Sequence, residues 1–172
     1  MKSRKDGFEG RSCLIALGSN LGDSVALVQN AFAGLQSLSA SPILKSSLWR
    51  SSPVDCPPGS ADFINAAIAI APLEGGTPEL MLGKLQELEI QFGRKPKVQF
   101  NEARPLDLDL IAFGSETRDT GDLILPHPRF HQRRFVLEPL NEIVPQAVLP
   151  GQIQTVHQLL AALETSETLA RL

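Results

Sequence analysis

The spacing of apolar residues predicts four strands and two helices before residue 114. Short apolar or alternating runs bounded by turn residues are typical of strands and cover 13–17, 44–50, 63–71 and 106–113. Between them, apolar residues recur every three or four positions, as on one helix face: Val25, Val28, Phe32 and Leu35, then Met81, Leu85, Leu88 and Phe92. This order predicts an α+β fold of the ferredoxin-like βαββαβ type, with an antiparallel sheet and both helices on one face.

The two ends of the chain fall outside this pattern. Residues 1–11 are charged and polar, and we predict a flexible tail there. The remainder, 12–172, is predicted to form a single domain. After a turn-rich hairpin over 114–122, short apolar runs broken by prolines predict a C-terminal extension with one helix over 156–163.

The composition is that of one globular domain and argues against several functions. The chain has 172 residues, 42% of them hydrophobic and 20% charged, with a formal net charge of −3. This charge argues against nucleic-acid or anionic-membrane partners, and no apolar run approaches the length of about 20 residues that a transmembrane helix needs. Two cysteines, Cys13 in an apolar strand and Cys56 in a proline-rich loop, are too few for a disulfide scaffold. We therefore expect the reducing cytoplasm as its setting. We also expect a monomer, although no residue pattern decides the oligomeric state.

Asp107 and Asp109 are the strongest candidates for a chemical role. Successive side chains of a strand point to opposite faces, so the two carboxylates share one face and the neighbouring leucines the other. Aspartate is disfavoured in strands, which calls for a reason. One interpretation is a solvated outer face. The other is a magnesium site, because paired carboxylates hold Mg²⁺ together with waters and phosphates.

Many cations lie near this pair in the sequence. Residues 94–134 contain eight of the sixteen Lys and Arg, namely Arg94, Lys95, Lys97, Arg104, Arg118, Arg129, Arg133 and Arg134, together with His127 and His131. Solvated loop charges would explain such a group, but beside the carboxylates it favours a magnesium–polyphosphate ligand. The sequence has neither a G-x-x-x-x-G-K-[ST] loop nor G-x-G-x-x-G after a strand, so side chains and metal would have to hold a nucleotide.

Five motifs follow one another between residues 13 and 150. They are 16–23 (ALGSNLGD), 63–67 (FINAA), 92–94 (FGR), 104–109 (RPLDLD) and 126–140 (PHPRFHQRRFVLEPL). Together they resemble the 6-hydroxymethyl-7,8-dihydropterin pyrophosphokinase family of folate biosynthesis. The resemblance implies that ATP donates its pyrophosphoryl group to the hydroxymethyl oxygen of the pterin, that AMP leaves, and that two magnesium ions take part.

The resemblance also implies roles for single residues. Asp107 and Asp109 match the metal-binding pair, and Arg94 and Arg104 match arginines that contact ATP phosphates and assist transfer. The remaining matches are Glu89, His127 and Arg133 on the nucleotide, Asn65 and Phe135 on the pterin, and Ser51, Ser52, Pro53, Val54 and Phe63 around the pterin pocket.

The loop over 94–103 departs from the family pattern. The basic residue, glycine and tryptophan that usually precede the aspartates are missing from Phe100-Asn101-Glu102-Ala103, and Pro96 stands where the family often has a second arginine. Lys97 is the candidate to supply that charge to ATP. We predict that the loop is mobile without ligands and closes over ATP and the pterin.

Two other functions stay open at this point. The altered loop is compatible with a non-catalytic relative that binds nucleotide or pterin. A different magnesium-dependent transferase would also use Asp-x-Asp, although it leaves Asn65 and the 16–23 motif without roles. Formation of AMP from ATP and the pterin discriminates both from the pyrophosphokinase.

Overall fold

The computed structural model describes residues 13–96, 98 and 102–172. The tail over 1–11 lies outside the described residues, so the division into a tail and one domain over 12–172 stays a prediction. The strands and helices are β1 (Cys13–Ser19), α1 (Ser24–Gln36), β2 (Leu44–Lys45), β3 (Trp49–Ser51), β4 (Phe63–Ile70), α2 (Pro78–Gln91), β5 (Asp107–Phe113), β6 (Arg118–Asp119), β7 (Ile124–Leu125), α3 (Arg134–Ile143), α4 (Val156–Ala162) and β8 (Leu169–Arg171). In the described ranges, no helix combines the length and apolar character needed to cross a membrane.

The main sheet is antiparallel, with the strand order β5-β1-β4-β3-β8 and with β2 also paired to β4. The strand predicted over 44–50 is instead two short strands, β2 and β3. Between them, Ser46 donates its N–H to the Ala67 carbonyl (2.9 Å), and its hydroxyl accepts from the Ala67 N–H (2.9 Å). A side-chain oxygen thus replaces a main-chain carbonyl in the ladder, and the strand is interrupted there.

α1 and α2 pack on one face of the sheet, as the sequence predicts. Each helix begins at a side-chain cap: Asp23 Oδ1 accepts from Ala26 N (3.1 Å), and Thr77 Oγ1 accepts from Leu80 N (3.2 Å). The core on this face contains Val28, Leu35, Met81 and Leu85 of the helices with Ile15, Leu17, Ile68, Leu108 and Leu110 of the sheet. Burial of these side chains is the main contribution that holds the helices on the sheet.

The opposite face of the sheet is also covered, which the prediction of helices on one face alone omits. α3 and α4 pack there in a second core that includes Leu14, Ala67, Val136, Leu137, Leu140, Val156 and Leu159. The sequence predicts α4 but not α3, because Pro139 within α3 removes a helix hydrogen bond and indicates a break. Val136, Leu137 and Leu140 are each at most 1% exposed, and their burial outweighs that loss.

A β-bulge divides β5 into a polar start and an apolar end. Leu14 pairs with Ala112 but Ile15 pairs with Leu110, so Ile111 is the extra residue of the bulge. Before the bulge the strand alternates regularly. Asp107 pairs with Gly18 and Asp109 with Ala16, which brings both carboxylates beside the end of β1.

Candidate active site

A cavity of about 670 Å³ lies where β1 ends and β5 begins. Many of the residues that the sequence predicts for the site line it: Ser51, Ser52, Val54, Phe63, Asn65, Arg104, Asp107, Asp109, His127, Arg133 and Phe135. Glu89, Arg94 and Pro53 are not among the described residues of its wall. Lys97 lies outside the described residues, and so do positions 99–101 of the loop that is predicted to close.

The wall of the cavity also contains residues that the sequence does not assign to the site. These are Asp55, Cys56, Arg129, Gln132 and Glu167, besides main chain near the end of β1. Arg129 and Gln132 belong to the 126–140 motif, and their short distance from His127 is a signal that could have indicated them. No sequence signal indicates Glu167, because it follows α4 and lies 58 positions after Asp109.

Of the two carboxylates, Asp107 is the one that forms ion pairs with arginines of the described ranges. Asp107 Oδ1 accepts from Nη1 of Arg104 at 3.0 Å and from Nη1 of Arg94 at 3.3 Å. Burial and the neighbouring charge of Asp107 raise the pKa of Asp109 to about 7, although Arg133 and Arg104 act in the opposite direction. The nearby arginines therefore do not fully offset the burial of Asp109 and its repulsion by Asp107.

A divalent cation fits this donor set. Two carboxylates with mutual repulsion are stabilised by a cation between them, and carboxylate oxygens are the ligands that Mg²⁺ prefers. Within the described ranges, no group of three or more His, Cys, Asp or Glu side chains is arranged to hold a metal ion. The pair therefore suits a cation that completes its coordination with waters and with phosphate oxygens of a ligand.

Glu89 supports the site from behind the carboxylate pair. It is only 5% exposed, its Oε1 accepts from Leu108 N at 2.8 Å, and its Oε2 accepts from Arg94. Burial raises the pKa of Glu89, while the hydrogen bond from Leu108 lowers it. Glu89 thereby joins α2 to β5 and directs the Arg94 guanidinium towards Asp107.

Asn20 holds the main chain of Arg104 in place. Its N–H donates to the Arg104 carbonyl (3.2 Å), and its Oδ1 accepts from the Arg104 N–H (3.0 Å). Asn20 is 5% exposed, and its Nδ2 has no hydrogen-bond partner among the described residues. The 16–23 motif thus reaches the carboxylate pair through Arg104, whose guanidinium contacts Asp107.

The other end of the cavity contains two aromatic rings and the amide of Asn65. Asn65 is 3% exposed, and its Nδ2 donates to Ser51 Oγ (2.7 Å) and to the Trp49 carbonyl (3.3 Å), which fixes the orientation of the amide. Phe63 and Phe135 also line this region. Arg133 places its Cζ 5.6 Å from the centre of the Phe135 ring. Rings and an oriented amide are what a flat heteroaromatic ligand needs.

His127 is held as a neutral imidazole. Its Nδ1 accepts from Arg129 N at 3.1 Å, so Nε2 carries the hydrogen and is the donor. Burial, followed by the charge of Arg133, lowers the pKa of His127 to about 4, with Asp107 acting in the opposite direction. His127 can therefore donate a hydrogen bond to a ligand at neutral pH without adding a charge.

Acid should destabilise the protein partly through His127. The ring titrates near pH 4 in the folded protein and near pH 6.5 when unfolded, so unfolding takes up a proton between these values. We expect the free energy of unfolding to fall as pH decreases from about 6.5 to 4, by about 1–3 kcal/mol from this residue. Urea unfolding over this range should show a shallower pH dependence in His127→Gln. If the free energy of unfolding of His127→Gln depended on pH as steeply as that of the wild type, the lowered pKa of His127 would be contradicted. An NMR titration of the wild-type ring above pH 6 would contradict it as well. The control is His157→Gln on α4.

The site combines two carboxylates that suit a metal, arginines beside them and an aromatic pocket. This combination is typical of an enzyme that transfers a phosphate-containing group to a flat acceptor. Comparison with known proteins gives the family. The model of the 7,8-dihydro-6-hydroxymethylpterin-pyrophosphokinase (HPPK) family matches residues 14–145, and the chain belongs to this family. The resemblance drawn from the five motifs is thereby confirmed.

Individual relatives agree with the family. The chain is 38% identical over 133 residues to the 2-amino-4-hydroxy-6-hydroxymethyldihydropteridine pyrophosphokinase of Bacillus subtilis, which covers 77% of each chain. It is 36% identical over 139 residues to the enzyme of the same name from Haemophilus influenzae, covering 80% of this chain and 84% of the relative.

Solved structures support the fold. A crystal structure of HPPK-DHPS in complex with substrates has a TM-score of 0.70 at 10% identity and matches 90% of this chain but 43% of its own length. Wild-type HPPK-DHPS of Plasmodium falciparum with SDX-DHP has a TM-score of 0.69 at 12% identity, over 92% of this chain and 45% of its own. The chain thus spans less than half of these structures, and at this identity they bear on the fold alone.

Proposed function

We propose that this chain transfers the pyrophosphoryl group of ATP to the hydroxymethyl oxygen of 6-hydroxymethyl-7,8-dihydropterin, with release of AMP. The observation that carries the proposal is the cavity with Asp107, Asp109 and Arg104 at one end and Asn65 and Phe135 at the other, in a member of the HPPK family. We also propose the ferredoxin-like description for its core, because the order β5-β1-β4-β3 follows from a βαββαβ chain path.

Asp107 and Asp109 would hold the magnesium ions, of which two are expected. The chemistry that magnesium would supply there is neutralisation of phosphate charge. The two carboxylates contribute their fixed separation on β5, and Arg94 and Arg104 keep Asp107 oriented. Because the pair offers few protein ligands, the ions are expected to bind together with ATP.

The cationic side chains would bind the nucleotide. Arg104 and Arg133 line the cavity and would contact ATP phosphates, and neutral His127 would donate from Nε2. Glu89 would act through Arg94, since both of its oxygens already accept from protein groups. We propose from the sequence alone that Lys97 contacts ATP and that the loop over 94–103 closes.

The aromatic end of the cavity would bind the pterin. Phe135 would stack on the ring system and Phe63 would bound the pocket, while Asn65, oriented by Ser51, would bond to the pterin edge. Ser52 and Val54 line the same region, and Pro53 lies between them in the loop. In this arrangement the hydroxymethyl group would point towards the carboxylate pair.

The transfer step then depends on position and charge. The hydroxymethyl oxygen attacks the β-phosphorus of ATP and loses its proton, the bond from that phosphorus to the oxygen bridging the α-phosphate breaks, and AMP leaves. Phosphoryl-type transfer requires alignment and neutralisation of charge more than covalent catalysis. Arg104, whose main chain is held by Asn20, would meet the charge that develops on the transferred group.

The products of the reaction test the proposal. Protein, ATP, magnesium and hydroxymethyl dihydropterin should give AMP and pterin diphosphate in equal amounts, and excess EDTA should stop the reaction. Formation of ADP would indicate a different transferase. Binding of both ligands without AMP would indicate the non-catalytic relative, which the altered segment before Arg104 suggests. Either result would overturn the proposal. The expected monomeric state and cytoplasmic location stay predictions.

Loss of the Asn20 clamp should reduce turnover more than binding. Asn20→Ala removes the acceptor for the Arg104 N–H, so the guanidinium is less well positioned. We expect kcat to fall about tenfold to hundredfold, with the KM for ATP within about threefold of wild type. Asn20→Asp, which keeps the acceptor oxygen, should recover part of the loss. The control is Asn30→Ala, on the exposed side of α1, and a normal kcat in Asn20→Ala would refute the clamp.

A further inference from the structure

The strand β8 is paired with the segment that lines the aromatic end of the cavity. β8 pairs antiparallel with β3, with Ser51 opposite Leu169 and Trp49 opposite Arg171. The ladder extends at both ends, because Ser52 N donates to the Thr168 carbonyl (3.4 Å) and Leu172 N to the Leu48 carbonyl (2.9 Å). The C-terminal strand therefore holds the segment that carries Ser51 and Ser52, two residues of the cavity wall.

Glu167, just before β8, connects this strand to α3. It is half-buried although residues 164–166 and 168 are exposed, and it lines the cavity. Its Oε2 accepts from Phe135 N at 3.2 Å, and the N–H of Arg134 also bonds to it. α3 has no cap from its own N-cap residue, Arg133, so Glu167 satisfies N–H groups that the start of a helix leaves free.

The charges around Glu167 suit an ionised carboxylate at this helix start. Burial raises the pKa of Glu167, while the main-chain hydrogen bonds from Phe135 and Arg134 and the charges of Arg133 and Arg134 lower it. The N-terminal end of a helix carries partial positive charge, which adds to the attraction. The Glu167 carboxylate, which lies 32 positions after Phe135 in the chain, thus takes the place of a local cap.

We propose that Glu167 is a positioning residue for the acceptor substrate. By binding the first N–H groups of α3 it fixes the position of the Phe135 ring. The C-terminal strand thereby becomes part of the pterin pocket. This inference rests on the proposed function, in which Phe135 stacks on the pterin. Glu167 lies outside the residues 14–145 that define the family match.

Steady-state kinetics of the full chain separate this role from a surface contact. Glu167→Ala should raise the KM for hydroxymethyl dihydropterin about tenfold, with the KM for ATP and kcat changed by less than about threefold. Glu167→Gln keeps an oxygen that accepts from the same N–H groups and should recover most of the affinity. Glu164→Ala, which removes an exposed carboxylate of the same segment, is the matched control.

Amide hydrogen exchange gives a readout that does not depend on activity. In Glu167→Ala the amides of Arg134 and Phe135 should exchange faster, while those of the core strands stay protected. If Glu167→Ala unfolds, Glu167→Asp, whose carboxylate is withdrawn by one methylene, serves for the same comparison. A wild type that makes no AMP would overturn the proposed function but leave the exchange result interpretable.

Three results would overturn the inference itself. The first is an unchanged pterin KM in Glu167→Ala despite faster exchange at Phe135. The second is equal impairment of Glu167→Gln and Glu167→Ala although Phe135 in Glu167→Gln exchanges as in the wild type, which would mean that the charge contacts a substrate directly. The third is unchanged exchange at Arg134 and Phe135, which would show that Glu167 does not hold the start of α3.

Discussion

Replacing Asp107 or Asp109 by alanine should abolish pyrophosphoryl transfer while the protein stays folded. Each change removes half of the carboxylate pair on β5, which in the proposed function would hold magnesium and so offset the charge of the transferred group. Loss of several kcal/mol of transition-state stabilisation corresponds to a fall in kcat of about 10³-fold or more. Thermal unfolding measured beside AMP formation distinguishes this loss from misfolding.

Asp109→Asn provides a sharper version of the same test. The ionised form of Asp109 is disfavoured in the folded protein, because burial and Asp107 raise its pKa to about 7. Without magnesium at pH 8, the neutral amide should therefore leave the Tm unchanged or raise it, while turnover is lost. Asp119→Ala, in the exposed strand β6, is the control for loss of a strand carboxylate. Near-normal turnover in both Asp107→Ala and Asp109→Ala would refute the metal assignment.

Replacing Arg104 should lower the rate of transfer more than the affinity for ATP. Its guanidinium bonds to Asp107 at 3.0 Å, its main chain is held by Asn20, and it lines the cavity. For Arg104→Ala we expect kcat to fall about 10²-fold to 10³-fold, because a group that meets developing charge acts mainly in the transition state. Single-turnover measurements at saturating ATP isolate this step.

Arg104→Lys should recover only a small part of that rate. A lysine supplies the charge, but not the planar pair of donors that can bind Asp107 and a phosphate oxygen together. Arg118→Ala is the control, since Arg118 pairs with Glu79 and Glu116 and is not part of the cavity wall. A variant with normal kcat and only a raised KM for ATP would assign Arg104 to ground-state binding instead.

Local spacing is enough to predict the parts of this protein that depend on neighbouring residues. The alternation in β5 puts Asp107 and Asp109 on one face because a strand repeats every two residues. The three-and-four spacing in α1 and α2, with Thr77 at the start of α2, predicts both helices and their shared face. The order of motifs identified the family, and the HPPK match over 14–145 confirms it.

Long-range contacts decided what no local pattern contains. α3 forms despite Pro139 because Val136, Leu137 and Leu140 are buried against a face of the sheet that the one-sided prediction leaves open. The strand over 44–50 divides because the Ser46 hydroxyl replaces a carbonyl in the pairing with Ala67. Both outcomes depend on partners that are distant in sequence.

The site itself shows the same division. Residue type and short spacing were enough to predict the carboxylate pair, the neighbouring arginines and the family. The contacts of Glu89 with Leu108 and Arg94, of Asn20 with Arg104 and of Glu167 with Phe135 emerge only when the chain is folded. A side chain that acts across 19, 84 or 32 positions of the chain leaves no periodic signal, since its partner is set by how the elements pack and not by its neighbours.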